Sequence, residues 1–389
     1  MPDVAQDKLD LLTRLIGYDS VSERSNLALI EFVADYLSGY GVDAQVYKDK
    51  SGGKANLFAT IGPQMSGGLM LAGHSDVVPV EGQDWSSDPF RAESRRGRIY
   101  GRGACDMKGF IAVALALVPE LAGTTLTRPV HLAFTYDEEI GCFGGAALAE
   151  VIARMDHRPG FCIVGEPTGM KVVGGHKGKL SIDGHVRGAE CHSAYNDRGV
   201  NAVEIAAEIV ARFRALQKRL VVDGTKDERF NPPFTTIHTG VISGGVARNI
   251  VPRDCRFEVE IRNLPDDDPM DLLRTVKADT LESLLKEMHK VAADTSIRLD
   301  VQSCIPALAP TEPDEIGRQA LRLSGTNRPG VVSFATEAGL YQRAGVPVIV
   351  CGPGNIAQAH RPDEYVTVEQ LEKCADFLRG MVGNFQSRG

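Results

Sequence analysis

Five short motifs along the chain carry histidine or carboxylate side chains, the groups that bind divalent cations and transfer protons. Each motif lies at or just beyond the carboxyl end of a predicted strand, the edge at which open α/β sheets bind ligands. Two imidazoles and three carboxylates suit a pair of divalent cations that share one carboxylate and a water. The imidazoles favour zinc or cobalt over magnesium. The candidate ligands are His74, Asp106, Glu139, Glu166 and His360.

The first two motifs each allow a simpler interpretation. His74 and Asp76 stand two residues apart, so both side chains point to the same side of an extended backbone. His74 is then a metal ligand whose other ring nitrogen Asp76 orients, or the two residues belong to an ordinary polar turn. Asp106 lies at the start of a strongly apolar predicted helix, where it either caps the helix or bridges two cations.

Three consecutive acids, Asp137, Glu138 and Glu139, follow another apolar strand. Such acids repel one another unless solvent or cations neutralise them, so they form either a solvated loop or part of a cation site. Once Glu139 is counted among the five ligands, Glu138 remains as a free carboxylate beside it. That position suits a general base that takes a proton from the attacking water.

The elements that must position these residues alternate between short apolar strands and helical segments. This alternation predicts an α/β domain with a mostly parallel mixed sheet. A terminal helix closes the chain from Val368 to Met381. The predicted strands are 68–73, 130–136, 161–166, 330–335 and 347–352, and the predicted helices between the first of them are 110–121 and 145–155.

The middle of the chain has a different order of elements, β-α-β-β-α-β, which is the ferredoxin-like arrangement. We interpret it as a smaller α+β domain inserted into the α/β domain. The predicted boundaries are 1–177 and 308–389 for the catalytic di-metal domain and 178–307 for the insertion. The predicted insertion elements are strands 179–188, 234–243, 255–263 and 296–303 and helices 200–220 and 270–293.

Composition excludes several classes of protein. The formal net charge of −8 argues against nucleic acid or an anionic membrane as the main partner. The first residues do not form a signal peptide, and no apolar run approaches the roughly 20 residues of a membrane span. The 8 cysteines are scattered without a CxxC pair, which favours reduced thiols and a cytoplasmic protein.

The motifs together resemble those of the M20-type metallohydrolases. They read HSDVVP (74–79), GRGACDMKG (101–109), DEEIG (137–141), GEPT (165–168) and AHRPDE (359–364). The resemblance implies a zinc-peptidase-like catalytic domain that binds two divalent metal ions per chain. It assigns His74 and Glu166 to one ion and Glu139 and His360 to the other, with Asp106 bridging. It also implies that Glu138 is the catalytic base and that Asp76 steadies His74.

The same resemblance gives the inserted domain a role as a lid and dimerisation domain. Its segment GAECHSAYNDRGVNA (188–202) is similar to the family segment whose histidine helps to stabilise the oxyanion, here His192. In dimeric relatives that histidine reaches the neighbouring subunit, so a homodimer is expected. Asn249 and Arg262 are similar to family positions that contact the substrate.

Within the family, the motifs around 165–168, 176–178, 336–342 and 352–365 are most similar to members that remove the acetyl group from N-acetylornithine, a step of arginine biosynthesis. Lys177 would then meet a substrate carboxylate as a point charge. Glu337 would attract the basic side chain of ornithine, or it caps a helix.

Other functions remain open. The alternatives within the family are desuccinylation of N-succinyl-diaminopimelate and another aminoacylase or dipeptidase activity. Outside it, they are a cysteine hydrolase using Cys191 or Cys105 and a metal-free binding protein on the same fold.

Overall fold

A computed structural model describes residues 4–385, with the side chains of residues 4–7, 279 and 280 left aside. The strands are β1 (Ala44–Lys48), β2 (Ala55–Ile61), β3 (Gly67–His74), β4 (Glu93–Arg95), β5 (Arg98–Tyr100), β6 (Val130–Thr135), β7 (Pro159–Pro167), β8 (Val173–His176), β9 (Lys179–Arg187), β10 (Thr236–Gly244), β11 (Asp254–Arg262), β12 (Ser296–Ile305), β13 (Gly330–Val332), β14 (Val348–Gly352) and β15 (Tyr365–Thr367). The helices are α1 (Val4–Ile16), α2 (Leu27–Ser38), α3 (Lys108–Ala116), α4 (Val118–Ala122), α5 (Glu138–Gly141), α6 (Phe143–Ala153), α7 (Ala202–Asp223), α8 (Pro269–Val291), α9 (Glu315–Ser324), α10 (Ala338–Arg343) and α11 (Val368–Val382).

The chain divides into two compact units. The first contains the described residues up to Gly175, the segment Pro310–Val331 and the described residues from Thr336 onward. The second contains His176–Ala309 and the short segment Val332–Ala335. The roles predicted for residues 1–177 and 308–389 as a catalytic domain, and for 178–307 as a lid, stay predictions.

The first unit is built on an 8-stranded sheet with the order β1-β2-β6-β3-β7-β14-β8-β13. Its four central strands, β6, β3, β7 and β14, run parallel, whereas β1, β2 and β8 pair antiparallel with their neighbours. The α/β class with a mixed sheet is therefore confirmed, and the parallel strands form its centre. Because these strands run parallel, their carboxyl ends meet at one edge of the sheet.

Helix α3 is buried along its whole length, because all nine of its residues are covered by the sheet and neighbouring helices. Gly165 in β7 lies so close to it that a Cβ there would fall 1.9 Å from the ring of Phe110. The predicted helix 110–121 is wrong in its extent. Helix α3 ends at Ala116, and a separate helix, α4, follows it. Pro119 lies in the first turn of α4, where its missing N–H costs no hydrogen bond because first-turn amides have no acceptor within the helix.

The second unit contains a 4-stranded antiparallel sheet with the order β10-β11-β9-β12. Its elements follow the order β9-α7-β10-β11-α8-β12, which is the predicted ferredoxin-like arrangement. Alternate residues of β9 and β11 are buried, and their apolar side chains pack in one core with those of α7 and α8. The other face of the sheet carries polar and charged residues, as expected for an antiparallel sheet covered on one side.

Two general predictions concern the whole described chain. Six of the eight cysteines are buried, and none takes part in a disulfide within residues 4–385. No helix of the described part of the chain combines the length and apolar character that a membrane crossing requires.

Candidate metal centre

The strand ends of the first unit bring the five predicted ligands together. His74 is the last residue of β3, Glu166 lies near the end of β7, and Glu139 lies in the short helix that follows β6. Asp106 precedes α3, and His360 follows β14. Two strand ends, two segments that follow strands and one segment before a helix therefore carry the five side chains.

Asp106 lies at the centre of the cluster. Its Oδ1 is 3.1 Å from Nε2 of His74, and its Oδ2 is 3.3 Å from Nε2 of His360. The cap interpretation is wrong, because α3 begins after Met107 and has no side-chain cap hydrogen bond. One carboxylate thus faces two imidazoles with its two oxygens, the arrangement that a carboxylate shared between two cations requires.

One half of the cluster is buried. The side chains of His74, Asp76 and Glu166 are 1%, 2% and 6% exposed. Nε2 of His74 is 3.8 Å from Oε1 of Glu166. On the other side of the ring, Nδ1 lies 2.9 Å from the backbone oxygen of Asp76 and 3.6 Å from its Oδ1. These contacts direct Nε2 of His74 towards Asp106 and Glu166.

The other half is open on one side. Nε2 of His360 lies 3.0 Å from Oε2 of Glu139, and the His360 side chain is 52% exposed. His360 has a positive φ of 60°, an uncommon backbone conformation for a side chain of this size. Such residues occur where the surrounding structure holds them, often at functional sites.

Asp76 also holds the acidic segment in place. Its Oδ1 accepts the backbone N–H of Glu138 at 3.1 Å, and its Oδ2 accepts that of Glu139 at 3.3 Å. The hydroxyl of Ser22 donates to the same Oδ2 at 2.7 Å. The carboxylate therefore satisfies the first amides of α5 and fixes both acids relative to His74.

The charges of the cluster depend on one another. Burial alone would lower the pKa of His74, but its contacts with Asp106 and Asp76 raise that pKa well above its usual range. Contacts with Asp106 and Glu139 likewise raise the pKa of His360 to about 10. Burial would raise the pKa of Asp106, but the two imidazoles lower it strongly.

The carboxylates of the cluster exceed its positive charge. Burial, together with the neighbouring acids Glu139 and Asp106, raises the pKa of Glu138 to about 8. Burial, together with repulsion from Asp106 and Glu138, raises the pKa of Glu166 well above its usual range. Buried carboxylates this close together require positive charge for stability, which protons or cations supply.

The donor atoms fit divalent cations. Within the described residues, those of His74, Asp106 and Glu139 lie within 4.8 Å of one another, and so do those of His74, Glu138 and Glu166. A set of imidazole and carboxylate donors with this spacing could hold zinc or another late divalent metal. Glu138 is less exposed than His360, and its Oε1 lies 3.5 Å from the Cys142 thiol.

His192 lies in the second unit, in an exposed position before a turn of 3₁₀ helix. Its Nδ1 accepts the backbone N–H of Ala194 at 3.1 Å. A neutral imidazole that accepts at Nδ1 carries its proton on Nε2, so the ring offers an Nε2–H donor. The ring also stands edge-on to Tyr195, with 6.2 Å between the ring centroids.

The predicted substrate contacts lie in the same unit. Asn249 is exposed, and its backbone oxygen accepts the N–H of Ser193. Arg262 forms a two-bond ion pair with Glu260, at 2.7 and 3.0 Å. Lys177 is 1% exposed, and its Nζ donates to the backbone oxygens of Pro232 and Phe234 at 2.8 and 2.6 Å.

Two of these side chains therefore have partners already. A substrate carboxylate could reach the Lys177 ammonium only if that group left its two carbonyls. A substrate contact of Arg262 would compete with Glu260 in the same way. The roles of Lys177, Asn249 and Arg262 in substrate binding stay predictions.

Glu337 is buried, and the cap interpretation is wrong for it as well, because its side chain makes no cap hydrogen bond at α10. The Tyr341 hydroxyl donates to its Oε2 at 3.3 Å. Burial raises the pKa of Glu337 to about 7. Its predicted contact with a basic substrate side chain stays a prediction.

The buried ion pair between Arg102 and Glu364 was not predicted from the sequence. Nη1 of Arg102 lies 2.7 Å from Oε2 of Glu364, and both side chains are 1% exposed. Both residues belong to motifs that were singled out for other positions, Asp106 and His360. A charged residue in each motif was the available signal.

Comparison with known proteins identifies the class. Residues 70–384 match the peptidase family M20/M25/M40. The chain is 37% identical over 386 residues to an acetylornithine deacetylase of Myxococcus xanthus, with 96% of each chain covered. It is 33% identical to an acetylornithine deacetylase of Proteus mirabilis, with 97% of this chain and 96% of the relative covered.

The fold agrees with these matches. An M20 family metallo-carboxypeptidase from Sulfolobus solfataricus superposes with a TM-score of 0.77 at 19% identity, covering 97% of this chain and 98% of that one. The chain therefore belongs to the peptidase family M20/M25/M40, and it is a hydrolase of that family.

Proposed function

We propose that this protein is a metal-dependent amide hydrolase that cleaves N-acetylornithine to ornithine and acetate. The observation that carries the metal-dependent chemistry is the contact of both Asp106 oxygens with the two imidazoles of the cluster. The similarity to two acetylornithine deacetylases supports the substrate.

The proposed ligands of the first ion are His74 and Glu166, those of the second are Glu139 and His360, and Asp106 is shared. Zinc is the proposed metal and cobalt the alternative, because imidazole and carboxylate donors suit both. When bound, the two ions supply Lewis-acid polarisation of the amide carbonyl and an acidified water. The positive charge of two bound ions would offset the repulsion among the buried carboxylates of the cluster.

Glu138 is the proposed general base. Its carboxylate lies among the donor atoms of the buried half, with His74 and Glu166. From there it would take the proton of the attacking water and later deliver it to the departing amine. Asp76 supports this step from two sides, since it orients His74 and holds the Glu138 amide.

His192 is the proposed oxyanion donor. Acceptance of the Ala194 amide at Nδ1 leaves Nε2–H as the donor, the form needed to stabilise a developing negative charge.

Lys177, Asn249 and Arg262 are the proposed substrate contacts. We propose that the second unit forms the lid.

A homodimer through the second unit is also proposed. β10 is an edge strand of its sheet, and Val241 and Ile242 in it are 46% and 50% exposed. An exposed apolar edge strand is a template for pairing with another chain. Sedimentation analysis should give a dimer for the wild-type protein and a monomer for Ile242→Lys, and a monomeric wild type would contradict the proposal.

A cytoplasmic location is proposed as well.

The rival cysteine hydrolase finds little support in the geometry. Burial raises the pKa of the Cys105 thiol far above its usual range, which disfavours the thiolate. The Cys191 thiol donates to the backbone oxygen of Tyr195 at 3.2 Å. Inactivation by a chelator but not by a thiol-blocking reagent would decide against this rival.

The substrate is tested by comparing hydrolysis rates of the zinc-loaded protein on a panel. The panel contains N-acetylornithine, N-succinyl-diaminopimelate and several N-acetylated neutral amino acids. We expect the highest kcat/KM for N-acetylornithine. A higher value for the succinylated compound or for a neutral substrate would contradict the substrate while leaving the reaction class intact, and no hydrolysis of any of them would contradict the reaction class.

A further inference from the structure

The backbone that carries Asp106 is held by one buried carboxylate. Oε1 of Glu364 accepts the backbone N–H groups of Cys105 at 2.8 Å and Asp106 at 3.0 Å. Its Oε2 accepts the N–H of Gly103 at 3.1 Å. Three backbone amides between Gly103 and Asp106 thus donate to one side chain that lies far along the sequence.

Arg102 completes this arrangement. Its Nη1 donates to Oε2 of Glu364 at 2.7 Å and to the backbone oxygen of Arg361 at 3.3 Å. Its Nη2 donates to the side chain of Gln83, and its guanidinium lies 4.9 Å from the centre of the Trp85 ring. The guanidinium therefore joins the Asp106 loop to the chain next to His360.

A second link runs through Gln83. Its Nε2 donates to the backbone oxygen of His360 at 3.1 Å while its Oε1 accepts from Arg102. The backbone supports the same connection, because Gly101 donates to the backbone oxygen of Glu364 at 3.0 Å and β5 pairs with β15. The loops of Asp106 and His360 are therefore tied at side chain and backbone.

We propose that Glu364 and Arg102 are positioning residues that hold Asp106 and His360 in one frame and so set the affinity of the centre for metal. The inference rests on the proposed function, in which both residues are ligands. Neither Glu364 nor Arg102 needs to touch metal or substrate for this role. Their effect passes through the backbone of the Asp106 loop and the loop of His360.

The test is Glu364→Gln, which keeps the size of the side chain but replaces an accepting oxygen with an NH₂ donor. Whichever way the amide turns, a donor then faces the loop amides or Arg102. The matched control is Glu369→Gln, because Glu369 is an exposed residue of α11 that pairs with Lys373 at the surface. Cobalt(II) titration followed by visible absorption reports metal affinity and ligand geometry without any turnover.

We expect Glu364→Gln to fold, to bind cobalt about 10–100-fold more weakly and to show altered absorption bands, as replacements of groups that orient metal ligands do. With saturating metal, kcat should fall while KM for N-acetylornithine stays unchanged. Glu369→Gln should match the wild type in all three measurements. A folded Glu364→Gln protein with wild-type cobalt affinity and spectrum would overturn the inference.

Failure of the two proposals can be told apart. If the wild-type protein hydrolyses no N-acylated amino acid but Glu364→Gln still weakens cobalt binding, only the proposed function fails. If Glu364→Gln does not fold, Gln83→Ala takes its place, because Gln83 is half-buried and links Arg102 to His360. Several-fold weaker cobalt binding by Gln83→Ala supports the inference, and unchanged binding overturns it.

Discussion

The two halves of the candidate metal centre differ in how they are built. His74 and Glu166 lie at the ends of central parallel strands and are 1% and 6% exposed. His360 lies in a connection after β14 with a positive φ and is 52% exposed. A ligand at the end of a buried strand is fixed by the sheet, whereas a ligand in a loop depends on contacts from other segments. The buried half should therefore govern stability and the open half should govern exchange.

The largest expected effect concerns the proposed base, which lies with the buried half. Glu138→Gln should lower kcat by roughly 10²–10⁴-fold, because the amide cannot accept the proton. Both metal ions should stay bound, since Glu138 is not a proposed ligand. Steady-state kinetics and metal analysis of the same preparation check this, with Glu150→Gln on the exposed face of α6 as control. Near-normal turnover would exclude Glu138 as the base.

The second prediction separates the two halves directly. With chelator present, His74→Ala should reduce the free energy of unfolding by about 3–5 kcal/mol, because it leaves the buried Asp106 carboxylate without its buried imidazole partner. His360→Ala should reduce it by less, because the His360 side chain is 52% exposed and Asp106 keeps His74 as its buried partner. Denaturant unfolding followed by circular dichroism measures both. Equal losses would break the comparison.

A smaller effect is expected for the residue that supports the buried half. Asp76→Asn should lower metal affinity or kcat by about 10–100-fold, as for other groups that orient a ligand histidine. The Asn side chain is uncharged and has one acceptor oxygen, so it cannot accept the backbone N–H of Glu138 and that of Glu139 on two separate oxygens as Asp76 does. Asp10→Asn on the exposed side of α1 is the control. An Asp76→Asn enzyme with wild-type affinity and kcat would contradict the orienting role.

The smallest effect concerns Ser22. Its hydroxyl donates to Asp76 at 2.7 Å but touches none of the proposed ligands. Ser22→Ala removes one hydrogen bond, worth about 0.5–1.5 kcal/mol, and should lower kcat only several-fold. Measured beside Asp76→Asn, it shows how far support of the buried half extends from the ligands. A loss as large as that of Asp76→Asn would mean that the hydroxyl, not the carboxylate charge, positions His74.

The clustering of the ligands could be predicted from the sequence because of sheet geometry. His74 and Glu166 follow apolar runs that became the parallel strands β3 and β7, and parallel strands end at the same edge. The ferredoxin-like order of the second unit could be predicted from the succession of strand-like and helix-like segments in the sequence. Pro119 was the local signal for the break in the helix predicted over 110–121, and the apolar pattern across it outweighed that signal.

The contacts that hold the cluster could not be predicted, because they join backbone groups to distant side chains. Glu364 binds three amides about 260 positions earlier in the chain. The Lys177 ammonium donates to the backbone oxygens of Pro232 and Phe234. Every residue has a backbone oxygen, so the residue types at 232 and 234 give no sign of this contact. The Glu260–Arg262 pair was accessible in principle, since residues two apart in a strand lie on one face.

The most direct test of the central claim is a count of metal ions per chain together with activity during chelation. Protein prepared without chelator and loaded with zinc should contain two ions per chain by mass spectrometry under native conditions. Removal should proceed in two steps, with the ion of the open half leaving first and with activity lost by the time both ions are gone. Full activity in protein that retains no metal, or a capacity for a single ion only, would contradict the account.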